Sequence, residues 1–276
     1  NYDATAYVYD GLGRKIKTTD PTGTIDRTVF DALGRPIAQW TGTDDTSFTP
    51  SGGGDMANTS TTEYDGGADG GNGHVTSRSQ KPDGATGVRT TTYTNDVRGR
   101  ALLVTSPQSP HSLNKYDNLG RVIASAQYSA TGGITPGTTD PAYNGTQTAR
   151  LALSTTSYDE KGQVFQTKRY KIDQSDGSDD DTLVTDYWYD SVGRRIKVQG
   201  EELSKTVYDR LGRATNRFIL AQVRNSGGTA ETAYADADDV AYDVVLEEHQ
   251  SVYENSTGNV LFTAAILRHA QESTSY

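Results

Sequence analysis

Tyr9-Asp10-Gly11-Leu12-Gly13-Arg14 decides the fold, because it returns. It recurs as Phe30-Asp31-Ala32-Leu33-Gly34-Arg35, Tyr116-Asp117-Asn118-Leu119-Gly120-Arg121, Tyr189-Asp190-Ser191-Val192-Gly193-Arg194 and Tyr208-Asp209-Arg210-Leu211-Gly212-Arg213. Altered copies fill the intervals. Tyr158-Asp159-Glu160-Lys161-Gly162-Gln163 exchanges the arginine, and Asn95-Asp96-Val97-Arg98-Gly99-Arg100 exchanges the aromatic. Tyr253 to Asn259 carries one extra residue before its glycine, and a glycine-rich insertion separates Tyr64-Asp65 from Gly73-His74-Val75. A local signature repeated at intervals of tens of residues marks stacked units rather than one closed core.

Aspartate first and glycine fourth is the residue pattern of a type I turn. The carboxylate bonds backbone amides ahead of it, and glycine takes the positive φ that a side chain resists. Such a turn closes a short hairpin with a bulge at the glycine. The flanks agree: Thr5-Ala6-Tyr7-Val8-Tyr9 leads in and Arg14-Lys15-Ile16-Lys17-Thr18-Thr19 leads out, with β-branched and aromatic residues alternating with polar ones. Each copy therefore reads as one antiparallel hairpin. The interval is 21 residues from Tyr9 to Phe30 and from Asn95 to Tyr116, and 19 from Tyr189 to Tyr208. That suits two strands of about six residues and two turns. Asp20-Pro21-Thr22-Gly23 and Lys81-Pro82-Asp83-Gly84 read as return turns. Insertions at the return end, near residues 41–58, 129–147, 173–182 and 225–239, account for longer intervals. The expected fold is all-β: one array of tandem antiparallel hairpins over residues 1–276, forming a continuous spiralling sheet of shell, tube or solenoid type. Val260-Leu261-Phe262-Thr263-Ala264-Ala265-Ile266-Leu267, the most apolar stretch, is expected to continue the Tyr253 hairpin as a strand.

Only 33% of residues are hydrophobic, and the mean hydropathy is -0.69. A thick aliphatic core cannot be built from that. The 17 tyrosines supply rings that pack while keeping a hydroxyl wet. With no cysteine, disulfides and thiolate metal sites are excluded. No hydrophobic run approaches the ~20 residues of a membrane-spanning helix. A net charge of -10 disfavours nucleic acid and anionic membranes as partners. The chain opens at Asn1 without a signal peptide, as expected of a segment of a longer polypeptide.

A tandem array of Tyr-Asp-x-x-Gly-Arg hairpins resembles the YD-repeat (Rhs) family of bacterial Rhs proteins, insecticidal toxin-complex subunits and teneurins. The motif runs from about Tyr7 to Val260. Thr43-Asp44-Asp45-Thr46 followed by Tyr64-Asp65-Gly66-Gly67 looks more like the long YD-repeat surface proteins of environmental bacteria. The resemblance implies a strip of sheet spiralling into a hollow shell, which in toxin members encloses a toxic segment and in teneurins belongs to an adhesion ectodomain. Toxin-type members also carry an Asp-Pro-x-Gly-Leu self-cleavage motif. Asp20-Pro21-Thr22-Gly23-Thr24 lacks its leucine and stands at the other end, so self-cleavage is not carried over.

Repeated Tyr and Arg could stack on sugars. Identical spacing in every copy favours a structural role instead, with Tyr9 and Arg14 and their counterparts packing across their own hairpin. Asp173, Asp176, Asp179, Asp180 and Asp181 are the first calcium candidates, although their spacing is not that of an EF-hand and a solvated acidic insertion explains them. Asp236, Asp238 and Asp239 read likewise. His74, His111, His249 and His269 lack metal-ligand spacing. Gly52-Gly53-Gly54 and Gly66-Gly67-Ala68-Asp69-Gly70-Gly71 lack a phosphate-loop ending and read as flexible insertions. Asn58, Asn144 and Asn255 open glycosylation-like triplets at the frequency chance supplies in such a Ser/Thr-rich chain.

The expected function is non-catalytic: a β-sheet wall of a large secreted or cell-surface protein, acting by enclosure, spacing or adhesion. Each outer strand presents unpaired backbone that another unit must satisfy. Neighbouring repeats or other copies are thus the expected partners, with filaments where pairing runs on, and a shell would enclose a polypeptide. The alternative is a carbohydrate-binding or calcium-assisted adhesion module using the insertions as contact loops. An enzyme on this scaffold ranks last.

Overall fold

A computed structural model describes residues 3–65, 73–82, 87–143, 145–224 and 237–267. Gly66–Gly71, Asp83-Gly84, Asn144, Asp236, His269 and most of the insertion near 225–239 lie outside the described residues. The fold is all-β, as the motif predicts, with eighteen strands and no helix among the described residues. Contacts divide the chain into two compact units, Asn1–Tyr143 with Gln147–Leu151, and Asn144–Thr146 with Ala152–Tyr276.

In the first unit lie β1 (Ala6–Tyr9), β2 (Lys15–Thr19), β3 (Ile25–Phe30), β4 (Pro36–Gly42) and β5 (Ala57–Tyr64). They are followed by β6 (Val75–Gln80), β7 (Arg89–Asn95), β8 (Ala101–Thr105), β9 (His111–Tyr116) and β10 (Val122–Tyr128). Every strand pairs antiparallel with the next in the chain. The second unit holds most of β11 (Arg150–Tyr158), then β12 (Val164–Ile172), β13 (Asp179–Tyr189), β14 (Arg195–Gln199), β15 (Leu203–Tyr208), β16 (Ala214–Gln222), β17 (Val244–Tyr253) and β18 (Val260–Leu267). These too form a sequential antiparallel meander.

All nine copies of the motif, altered ones included, connect the two arms of a hairpin. In the intact copies the aspartate and the residue four on form the last backbone pair, as in Asp10 N to Arg14 O at 2.9 Å, and the glycine N–H closes the turn onto the aspartate carbonyl, as in Gly13 to Asp10 at 3.0 Å. Gly13 (φ 78°) and Gly193 (φ 92°) show why glycine stands there. Asp20-Pro21-Thr22-Gly23 repeats this geometry at the return end, with Gly23 N to Asp20 O at 3.1 Å.

A second bulge follows the turn in every hairpin. Tyr9 opposes Lys15 but Val8 opposes Lys17, so Ile16 is passed over. The residues passed over elsewhere are Ile37, Thr76, Leu102, Ile123, Phe165, Ile196, Thr215 and Leu261. A simple alternation of faces along the exit arms fails there, since a bulge shifts its phase by one residue.

The core is thin and lies where long loops cover one sheet face. In the first unit Leu113, Ala124, Ala126 and Tyr128 are buried, as is Pro141 in the loop after β10, with buried Arg150 bonding the Pro141 and Tyr143 carbonyls at 3.2 and 2.8 Å. In the second, Phe218, Leu220, Val223, Val240 and Val245 cluster with Leu203. Val260–Leu267 is a strand as expected, but Leu261, Phe262 and Leu267 are exposed.

The insertions are more ordered than their composition suggests. Gly52-Gly53-Gly54 belongs to a built loop: a Cβ on Gly53 or Gly54 would stand 2.1 Å from the carbonyl oxygen of Ser47 or Asp44. These glycines allow close backbone contact rather than looseness. The insertion near 173–182 is partly strand: β13 begins at Asp179, and a turn runs from Asp173 to Ser178.

Candidate functional site

The conserved chemistry of the copies lies along a row of turns. In the turn at Asp209, Oδ1 accepts the N–H groups of Leu211 and Arg213, both at 2.9 Å, and Oδ2 accepts the Arg213 Nε–H at 2.6 Å. Asp10, Asp31, Asp96, Asp117 and Asp190 pair with Arg14, Arg35, Arg100, Arg121 and Arg194 in the same way. The backbone N–H of the arginine four residues on is the main reason the Asp10, Asp31, Asp117 and Asp209 carboxyls are held below the usual carboxylate range, against some desolvation.

The arginine then leaves its own hairpin. Its guanidinium covers the aromatic that opens the next turn: Arg14 over Phe30 at 4.7 Å, Arg35 over Tyr64 at 4.3 Å and Arg100 over Tyr116 at 4.7 Å. In the second unit Arg194 covers Tyr208 at 4.7 Å and Arg213 covers Tyr253 at 4.6 Å. A terminal nitrogen also reaches the next turn, Arg100 to the Asp117 carbonyl at 3.0 Å and Arg194 to that of Asp209 at 3.1 Å. The expectation that Tyr and Arg pack across their own hairpin is corrected here. An arginine fixed by Nε to its own aspartate points its planar end along the row, and the ring within reach belongs to the following hairpin.

The tyrosine returns the contact. The hydroxyls of Tyr64, Tyr116, Tyr189, Tyr208 and Tyr253 donate to the carbonyls of Pro36, Ala101, Val164, Arg195 and Ala214, at 2.9–3.1 Å. Each acceptor is the first residue of the preceding exit arm, immediately before the residue the bulge passes over. The bulge thus sits where a side chain from the next hairpin takes up backbone.

One pair of altered copies keeps this scheme by a paired change. His74 stands in the arginine position, and the next hairpin has Asn95 in place of tyrosine. Asn95 Nδ2 donates to the Val75 carbonyl at 2.8 Å, the bond a tyrosine hydroxyl makes elsewhere. The His74 ring packs against the next turn so closely that a Cβ on Gly99 would stand 2.2 Å from it. Gln163, the other exchange, sends Nε2 to the Gly193 carbonyl at 3.2 Å.

Three long loops are tied to the sheet by charge. Asp45 receives Lys17 Nζ at 2.9 Å and Arg27 Nε at 2.7 Å, and Arg27 lies 4.7 Å over Phe48, which meets Trp40 edge-on. The Lys17 hydrogen bond, with Arg27 adding to it, holds the Asp45 carboxyl low against desolvation. Lys115 bonds Asp140 at 2.5 Å. Buried Lys205 pairs with buried Asp243 at 2.8 Å and donates to the Asp239 carbonyl at 2.6 Å. Arg27 and Lys205 both stand three residues before a motif aromatic.

The calcium candidates do not converge. Asp173 and Asp176 cap Ser175 and Ser178 within their turn, Asp180 pairs with exposed Lys171 at 2.6 Å, and Asp181 accepts the Thr182 N–H. Asp179 opens β13 opposite Ile172. Among the described residues no group of three or more acidic or histidine side chains is placed to hold a metal ion. Of the histidines, His111 Nδ1 accepts the Ser106 N–H, and His249 lies 2.8 Å from Glu247. No helix among the described residues is long and apolar enough to cross a membrane.

No family model and no curated protein matches the chain. Among solved structures, the crystal structure of TcdB2-TccC3 is similar at 17% identity and a TM-score of 0.36, over 97% of this chain and 16% of that one. TcdB2-TccC3 without the hypervariable C-terminal region gives 15%, 0.36, 97% and 15%. The Photorhabdus luminescens Tc holotoxin pore gives 17%, 0.33, 95% and 15%. The chain thus spans about 15% of the length of these neighbours.

Proposed function

We propose that the chain is a non-catalytic wall segment of YD-repeat type, belonging to a large secreted or cell-surface protein and acting by enclosure, spacing or adhesion. The observation that carries this reading is the arginine-to-next-aromatic contact. The most repeated side chains are spent on joining one hairpin to its neighbour, not on converging at a pocket. Continuity of the sheet is then the product of the sequence. The partners are further hairpins, from the same polypeptide or another copy, added at the open edges of β1 and β18.

Electron microscopy and light scattering of the purified chain across concentrations test it. Self-pairing gives filaments or sheets that dissolve on dilution, and a closed wall gives hollow particles of fixed size. Compact monomers that turn over a polysaccharide substrate at every concentration would contradict the reading.

A further inference from the structure

One hairpin has the seat for an arginine without the arginine. At Arg14, Arg35, Arg100, Arg194 and Arg213 a guanidinium is gripped by an aspartate behind it and an aromatic ring ahead of it. Between the Tyr158 and Tyr189 hairpins the aspartate (Asp159) and the ring (Tyr189) are both present, yet Gln163 stands where the arginine would. Glutamine is shorter and uncharged. Its amide reproduces the bond to the next turn, Nε2 to Gly193 O at 3.2 Å, but carries no charge to pair with Asp159. Asp159 keeps the Gln163 N–H at 2.7 Å and has no ion-pair partner among the described residues. The Tyr189 hydroxyl is held as in the other hairpins, on Val164 O at 2.9 Å, so the ring is fixed in its usual orientation.

Beside this turn is an open cleft of about 470 Å³, lined by Asp159, Gln163, Phe165, Asp186, Trp188 and Tyr189 among others. Its walls combine carboxylates with aromatic rings, the two chemistries that hold a guanidinium. Lys161 also lines the cleft but makes no ion pair with Asp159 among the described residues. Burial raises the Tyr189 hydroxyl pKa against the Arg195 charge, with the Tyr187 and Asp159 charges adding to it.

We propose that this cleft binds the guanidinium of an arginine side chain presented by another polypeptide, with Asp159 as counter-ion and Tyr189 as the stacking face. The inference does not rest on the wall reading: an arginine seat works on any scaffold.

The probe is Nα-acetyl-argininamide, titrated into the full chain and followed by NMR of the Tyr189 ring and Gln163 side-chain amide. Nα-acetyl-lysinamide, the uncharged citrulline analogue and maltose serve as controls. The expected result is a saturable shift confined to the cleft, weaker for the lysine compound, absent for citrulline and maltose, and lost in Gln163→Arg, whose own guanidinium fills the seat. Asp159→Asn weakens binding by about tenfold or more, as loss of a charge-assisted bond requires. No saturable shift, equal shifts from citrulline or maltose, or undiminished binding in either folded variant overturns the proposal. Should Gln163→Arg fail to fold, Asp159→Asn decides alone.

Discussion

Replacing Arg194 by methionine tests whether the arginine serves its own hairpin or the next. The native side chain is about a third exposed, pairs with Asp190 at 2.6 Å, reaches the Asp209 carbonyl at 3.1 Å and covers Tyr208 at 4.7 Å. A partly exposed ion pair contributes about 0.5 kcal/mol. The carbonyl hydrogen bond adds about 1, and the stacked cation about 0.5–1. Arg194→Met is therefore expected to lower unfolding stability by about 2 kcal/mol in urea titrations. The sharper quantity is the coupling in double-mutant cycles. With Tyr208→Leu, in the next hairpin, it is expected at about 0.5–1 kcal/mol; with Tyr189→Leu, in the same hairpin, it should vanish within about 0.3. Coupling to Tyr189 with none to Tyr208 would refute the inter-hairpin assignment.

Alanine at Gly212 forces a side chain to φ 84° where its Cβ meets only Arg194 Nη1, at an ordinary 3.7 Å, a loss of about 1 kcal/mol. Gly99→Ala should cost clearly more, since its Cβ would meet the His74 ring at 2.2 Å; thermal melts of the two variants give the order. Lys205→Met takes a buried cation from Asp243, whose side chain is 1% exposed, and is expected to cost about 3 kcal/mol, whereas Lys171→Met, losing an exposed pair, should leave the urea midpoint unchanged. Asp10, Asp31, Asp117 and Asp209 have folded pKa values below their unfolded ones. The unfolded chain therefore takes up protons first on acidification. Stability contributed by these turns is intact above about pH 4 and is lost as pH falls through the folded values, so urea midpoints should drop steeply only below pH 4. A flat midpoint from pH 5 to 2.5 would show that the carboxylates are not engaged.

The hairpins were legible because their determinants are local. An aspartate, a glycine three residues on and flanking β-formers specify the turn without reference to anything distant, and the copy with an extra residue before Gly258, opened by Glu254, closes by the matching two bonds in a turn one residue wider. The partner of each arginine was not legible, since Arg194 is close in sequence to Tyr189 and only the direction imposed by its Nε bond to Asp190 sends it to Tyr208. One signal was present: His74 and Asn95 depart from the motif in positions that face each other across consecutive hairpins, and such a pairing is visible once offsets are compared between neighbours. The second bulge also left a trace, an apolar residue at a fixed offset after most turns (Ile16, Ile37, Leu102, Ile123, Phe165, Ile196). Alternation alone hides it by assuming an unbroken period. The loops were misjudged because composition cannot register backbone contact. Gly53 reads as slack, yet it lies against Ser47, and the cations that tie the loops down, Lys17, Arg27 and Lys205, sit in other strands.

The most direct measurement is the chemical shift of the Arg194 side-chain protons, which a covering ring moves upfield. The account predicts an upfield Arg194 Hδ signal that returns to its ordinary position in Tyr208→Leu and stays put in Tyr189→Leu. An unshifted signal in the native chain, or one released by Tyr189→Leu instead, would contradict it.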